Sequence, residues 1–301
     1  MKTTNLRLLI SNFLILLLIV VSSSCGQKSN EESTKSNSKE FDQAETEVID
    51  QIETLAYDIP SPSEIPFMLE ATGAEFNEAF INDISKIDSY EITNDIAAMN
   101  LGVYSSDMGY LISYNKVQEA LNYLSSTKNL ADHLGVSASV NVELLKRFEN
   151  NLANKDSLVS ILDEAIDETD HFLQDDNRNR IAALLIAGSF IEGLYISTEL
   201  VKTYPKDLLP DDVRNVVLTP IIRVVLNQQK SLEDLIGLME TIDQANPVGD
   251  IKENLIALKG LYSSLNIDDQ IEKSRPDMVI NDATLVEITE KVAAIRSSIT
   301  E

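Results

Sequence analysis

The chain has 301 residues, 49 of them Asp or Glu against 24 Lys or Arg, for a net charge of −25, with one cysteine and no tryptophan. A surface this acidic repels the phosphate backbone, which excludes nucleic-acid binding, and it also repels anionic membrane surfaces. One cysteine excludes an intrachain disulfide, and the lack of indole rings counts against a sugar-stacking cleft.

The first segment is an export signal by its pattern. Lys2 and Arg7 precede an apolar run, Leu8 to Val21, that only Ser11 and Asn12 interrupt. That run is shorter than the ~20 residues a membrane span requires. Ser22-Ser23-Ser24 then lead into Cys25. An ordinary secretory signal also ends in small residues. The arrangement resembles a bacterial lipoprotein signal peptide, which implies cleavage after residue 24 and lipidation of Cys25. Ser22 stands where the usual lipobox has Leu, as in the looser boxes of Bacteroidota. Gln27-Lys28 followed by Glu31-Glu32 resembles the surface-export signal of that group's lipoproteins. Gly26 in place of Asp resembles outer-membrane sorting.

Residues 25–41 read as the lipidated cysteine and a polar tether, rich in Ser, Asn, Lys and Glu and too poor in apolar surface to offset its ordering entropy. As a flexible coil the tether reaches roughly 20–25 Å. Loss of Lys2 and Arg7 with the signal leaves 22 basic against 49 acidic residues, a balance of −27.

Residues 42–301 read as one all-α domain, an antiparallel bundle of about ten helices. Apolar spacing predicts a helix from about Gln43 to Tyr57, broken by Pro60, Pro62 and Pro66. A short helix is predicted over Ala74 to Ile84. A third starts at a Thr93 or Asn94 cap and runs to Tyr114, and a fourth runs from Lys116 to His133 and stops at Gly135. Further helices are expected over Ser139 to Asn151, Asp156 to Leu173 and Asn179 to Tyr204. The next begins near Pro210 and kinks at Pro220. The last three are expected over Leu232 to Ile242, Asp250 to Leu265 and Asp282 to Ser298.

Two of these helices, the third and the one from Asn179, are apolar on nearly every side. Such helices belong in the middle of a protein or in a membrane. Glu192, Gly188 and Gly193 favour burial as the central pair. Both open on Ile-Ala-Ala and carry a later Gly with a nearby Tyr, consistent with duplication of a helical hairpin.

Each central helix also carries one acid among apolar neighbours, Asp107 and Glu192. A buried carboxylate must be hydrogen-bonded, paired, protonated or ligand-bound. Asn100 lies two turns before Asp107, and Glu199 two turns after Glu192. Gly102, Gly109, Gly188 and Gly193 permit close helix approach, and Tyr110 and Tyr195 offer hydroxyls. Asn100, Asp107, Tyr110, Glu192 and Tyr195 therefore form a candidate ligand site in the bundle centre. The competing reading is a structural polar network.

Other chemistry is poorly supported. Glu168-x-x-His171 has di-iron spacing, but a di-iron site needs a second such motif, and Leu130 stands where the partner acid of His133 would be. Asp175-x-Asn177-x-Asn179 begins like an EF-hand, yet Arg180 and Ile186 replace the required Gly and Glu. No nucleophile elbow, phosphate loop or dinucleotide fingerprint is present, so no metal, cofactor or catalytic residue is expected.

Leu101-Gly-Val-Tyr-Ser-Ser-Asp-Met-Gly-Tyr110, Gln118-Glu-Ala-Leu-Asn-Tyr-Leu124, Leu130-Ala-Asp-His-Leu-Gly135 and Ala187-Gly-Ser-Phe-Ile-Glu-Gly-Leu-Tyr195 resemble a family of uncharacterised Bacteroidota lipoproteins. The resemblance covers most of residues 90–240. It implies an exported all-helical domain with Asp107 and Glu192 in its pattern, and it implies no activity. The expectation is a non-catalytic interaction module, lipid-anchored at the outer membrane on its periplasmic face or the cell surface, with an envelope protein as partner. The alternative is a small-ligand module using Asp107 and Glu192.

Overall fold

The computed structural model describes residues 61, 63–136, 142–175, 179–203, 219–220, 222–240, 242–265 and 283–301. The chain divides into two units, residues 1–44 and 45–301, and every described residue belongs to the second. Cys25 with its signal and tether, the helix expected over Gln43 to Tyr57 and the region near Pro210 lie outside the described residues. So do the side chains of Glu168 and His171.

The architecture is all-α. In chain order the helices are α1 (Glu64–Ala71), α2 (Asn94–Ser113), α3 (Val117–Leu134), α4 (Val142–Asn150), α5 (Lys155–Asp175), α6 (Asn179–Thr203), α7 (Gln229–Glu240), α8 (Val248–Ser264) and α9 (Ala283–Thr300). Two 3-10 turns, Glu78–Phe80 and Ile84–Tyr90, lie between α1 and α2. No strand occurs among the described residues.

Local chemistry sets the helix ends. Thr93 caps α2, its hydroxyl accepting the Ile96 N–H at 3.2 Å. After α2, Asn115 takes the left-handed conformation at φ 59°, and the Lys116 N–H returns to the Leu111 carbonyl at 2.7 Å. After α3, Gly135 does the same at φ 73°, and the Val136 N–H reaches the Ala131 carbonyl at 2.8 Å. The short turn after α2 folds α3 back along it, as expected for sequence neighbours in a bundle.

The centre is the α2–α6 pair, and it runs parallel. Near the start of both helices Arg180 pairs with Asp95, its Nη2 donating at 2.8 Å. In the middle, a Cβ added at Gly102 would lie 2.0 Å from the Leu185 carbonyl oxygen, and one at Gly188 would lie 2.0 Å from that of Met99. The backbones therefore touch, which only glycine allows. Further along, Asp107 meets Glu192. The Asp95–Arg180 pair is separated by 85 positions, and so is the pair Asp107–Glu192. The same offset relates Ile96-Ala97-Ala98 to Ile181-Ala182-Ala183 and Tyr110 to Tyr195. Structural register and sequence likeness thus coincide, as in an internal repeat.

Around this pair, α3 packs on α2, α9 on α6, and α1 and α5 against both, while α7 and α8 continue the stack towards α9. Every residue of α2 from Ala97 to Ser113 is buried. The stretch Arg180–Thr203 is long and apolar enough to cross a membrane, yet 89% of its apolar window is buried inside the fold.

The segment before α2 departs from expectation. A helix that spacing does not predict, α1, holds Pro66 in its first turn, where the missing N–H has no intrahelical partner. Ala74 to Ile84 is not an α-helix. Asn77 and Asp83 use their side chains to accept the backbone N–H groups of Ala79 and Ser85, at 3.0 and 2.8 Å, and so compete with helical pairing.

Candidate functional site

Three helices and one extended segment converge on the bundle centre. The α2 and α6 register brings Asp107 and Glu192 side by side, and both are fully buried. From α9, Arg296 forks onto Glu192: Nε donates to Oε2 at 2.9 Å and Nη2 to Oε1 at 3.0 Å. Asp107 Oδ2 accepts the backbone N–H of Asn82 at 3.0 Å. The two carboxyls lie close enough to act on each other's charge. Asp107 Oδ1 meets no hydrogen-bond partner among the described residues.

The electrostatics follow from burial. Desolvation first, then the neighbouring Glu192, push Asp107 well above the ordinary carboxyl range. Burial also raises Glu192, while Arg296 pulls it back through its field and its hydrogen bonds. Burial works against the Arg296 charge, but the field and hydrogen bonds of Glu192 outweigh it, so the guanidinium stays charged. Only 16% of the Arg296 side chain is exposed, and its guanidinium lies over the Tyr195 ring, 4.6 Å from the centroid.

The Asn82 segment is tied down on all sides. Tyr123 donates its hydroxyl to the Asn82 carbonyl at 2.9 Å, and Tyr104 does so to the Asp83 carbonyl at 2.9 Å. The Asn82 amide donates to the Tyr90 hydroxyl at 3.2 Å, which in turn donates to the Thr300 carbonyl at 2.8 Å. Asn100 donates to the Ile299 carbonyl at 2.9 Å. Tyr90 and Asn100 thereby satisfy carbonyls at the end of α9 that no helical N–H can reach.

Of the five residues expected at the site, Asp107 and Glu192 are in direct contact, and Tyr195 joins them through Arg296. Asn100 is committed to the end of α9, with its Oδ1 unpartnered. Tyr110 turns elsewhere: its hydroxyl accepts the Asn77 N–H at 2.9 Å, and its ring stacks on Phe76 at 5.1 Å. Burial pushes the Tyr110 phenol up to about 12. Glu199 lies at the margin, bonded to Lys202 at 2.7 Å.

Sequence reasoning missed Arg296, Asn82 and Tyr90. A signal for Arg296 existed. It falls four residues after Val292 and three before Ile299, on the buried stripe of α9.

The arrangement can brace three helices and hold a proton. It is a poor cation site, since Arg296 occupies both Glu192 oxygens, and no group of three or more His, Cys, Asp or Glu suited to a metal occurs among the described residues. Beyond the Asn82 segment lies a cleft of about 410 Å³, lined in part by Phe76, Ile81, Ile84, Leu111, Lys116 and Tyr123. No protein-family model, curated protein or solved structure matches the chain.

Proposed function

We propose that this protein is a lipid-anchored component of the cell envelope that acts as a non-catalytic interaction module, with Cys25 as its anchor and the helical domain as its working part. The observation that carries this reading is the closure of the acid pair, the chemically unusual cluster among the described residues. Both acids are wholly buried, Glu192 held at both oxygens by Arg296 and Asp107 at one by Asn82, which supports a role for the cluster in the fold. The surface left to meet a partner is strongly acidic, and it suits a basic face on another envelope protein.

In this reading the outer membrane holds the domain at its periplasmic face or on the cell surface. Two or three acyl chains on Cys25 make the anchorage stable, whereas one is marginal. Fractionation of cells carrying Cys25→Ser tests the anchor. The variant is expected in the soluble fraction, and unchanged membrane retention would overturn the proposal.

A second reading, a small-ligand module around Asp107 and Glu192, draws on the unpartnered Oδ1 atom of Asn100. It requires that Asp107→Asn or Glu192→Gln abolish ligand binding with the fold intact. Native against denaturing mass spectrometry of the full chain tests it: extra mass lost on denaturation supports a bound ligand, and a bare mass removes this reading.

A further inference from the structure

The bonding pattern at the centre leaves one atom unaccounted for. Both Glu192 oxygens accept from Arg296 and one Asp107 oxygen accepts from Asn82. The two carboxyls nevertheless face each other wholly buried, and Asp107 Oδ1 finds no donor among the described residues. Two carboxylates only accept and repel, and a hydrogen on one of them relieves both defects. Glu192 has its charge matched by Arg296, whereas Asp107 has no cation of its own among the described residues. We propose that the α2–α6 seam contains a proton-binding site: Asp107 is a neutral acid that donates from Oδ1 to Glu192, and folding takes up the proton.

Every group facing Asp107 fits this assignment. Glu192 on α6 is an anion, and Arg296 on α9 supplies one positive charge, so a second carboxylate would leave the dry centre with a net negative charge. Tyr104 on α2 itself, Tyr123 on α3 and Tyr90 in the 3-10 turn also feel Asp107, and burial raises all three phenols, so they stay neutral around pH 7. A proton thus does for Asp107 what Arg296 does for Glu192. The site makes the seam between the central helices sensitive to pH.

The sign is fixed. An unfolded Asp, with its ordinary value of 3.8, is ionised at neutral pH, whereas the folded one is protonated. Stability from this group is therefore full below that value and declines as pH rises towards the folded one. Each proton taken up means a tenfold fall in the folding constant per pH unit. Asp107→Asn mimics the neutral acid, keeping an acceptor for Asn82 and a donor for Glu192.

The test is infrared difference spectroscopy of the full chain at pH 7, with denaturant titrations between pH 5 and 8. The wild type is expected to show a protonated carboxyl band that Asp107→Asn lacks, and its folding constant is expected to fall about tenfold more per pH unit than the variant's. Glu64 and Asp163, also raised by partial burial, are common to both proteins and cancel in the difference. Glu192→Gln provides a second check, since the new side-chain amide donates to Asp107 and leaves it free to ionise against Arg296, so the band is expected to vanish. No Asp107-dependent band, equal pH slopes, or a band that persists in Glu192→Gln would overturn the proposal. Should Asp107→Asn fail to fold, proton uptake on refolding the wild type, measured by calorimetry in buffers of different ionisation enthalpy, decides it: uptake supports the site and its absence sinks it.

Discussion

Adding one methyl group at Gly102 tests the account of the central seam. The new Cβ would lie 2.0 Å from the Leu185 carbonyl oxygen and 2.8 Å from the Ser189 nitrogen, where real Cβ atoms essentially never come within 3.0 Å. The obstruction is backbone, which no rotamer change relieves, so α2 and α6 must part by about 1 Å. A gap of ~0.5–1 Å forfeits a quarter to a half of each van der Waals well along the contact, and overpacking a core costs ~1–3 kcal/mol or more. Better helix propensity returns about 1 kcal/mol. The net expectation for Gly102→Ala is a loss of roughly 2 kcal/mol at the upper end of that cost, a sizeable share of the ~5–15 kcal/mol that holds a typical domain together. Gly188→Ala, with Met99 carbonyl oxygen at 2.0 Å, should behave alike. Gly237 and Gly260 are the controls, because both lie inside helices with nothing within 4 Å of an added Cβ. Alanine there should stabilise by ~0.5–1 kcal/mol. Urea unfolding of the full chain, followed by circular dichroism, measures all four. If Gly102→Ala unfolds at the same urea concentration as Gly260→Ala, the helices do not touch by their backbones and the reasoning fails.

Arg296→Met should cost ~3–5 kcal/mol in the same assay, because it strands the Glu192 charge in the core, and adding Glu192→Gln should recover a good part of that loss. Tyr262→Phe removes a fully buried hydroxyl that donates to the Val225 carbonyl at 2.9 Å. It should cost ~0.5–1.5 kcal/mol, the worth of one ordinary hydrogen bond, since the carbonyl keeps the Gln228 N–H at 3.3 Å.

Much of the helical frame is legible in the sequence, because apolar spacing and end signals there follow from local chemistry. Thr93 and Gly135 act as the expected cap and stop, and two helices apolar on every side do form the core. Asp107 and Glu192 stand out because an acid in such a helix has no solvent to turn to. The stretch from Glu64 to Tyr90 is where spacing misleads. Proline is a helix breaker only beyond the first turn, and the short-range bonds of Asn77 and Asp83 compete with a helix that spacing alone predicts. Arg296 stays hidden for a different reason: α9 carries charge on its exposed face, and one more cation there looks ordinary until its angular position is compared with Val292 and Ile299.

The repeat explains why the centre needs a third helix at all. When two like helices pack in parallel at equal register, each position of one faces its counterpart in the other. An acid at the seam then faces an acid, and like charges in a dry setting repel. Nothing within the pair can relieve this, since the repeat supplies a second acid where a base is needed. Relief has to come from outside the repeat. Arg296 arrives from α9, packed chiefly on α6, and so matches Glu192 rather than Asp107. That asymmetry leaves Asp107 to the Asn82 backbone and to a proton. It also accounts for the anchoring of the α9 terminus by Asn100 and Tyr90: a helix that delivers the one compensating charge is held at its end by the helix and the turn that flank the acid pair.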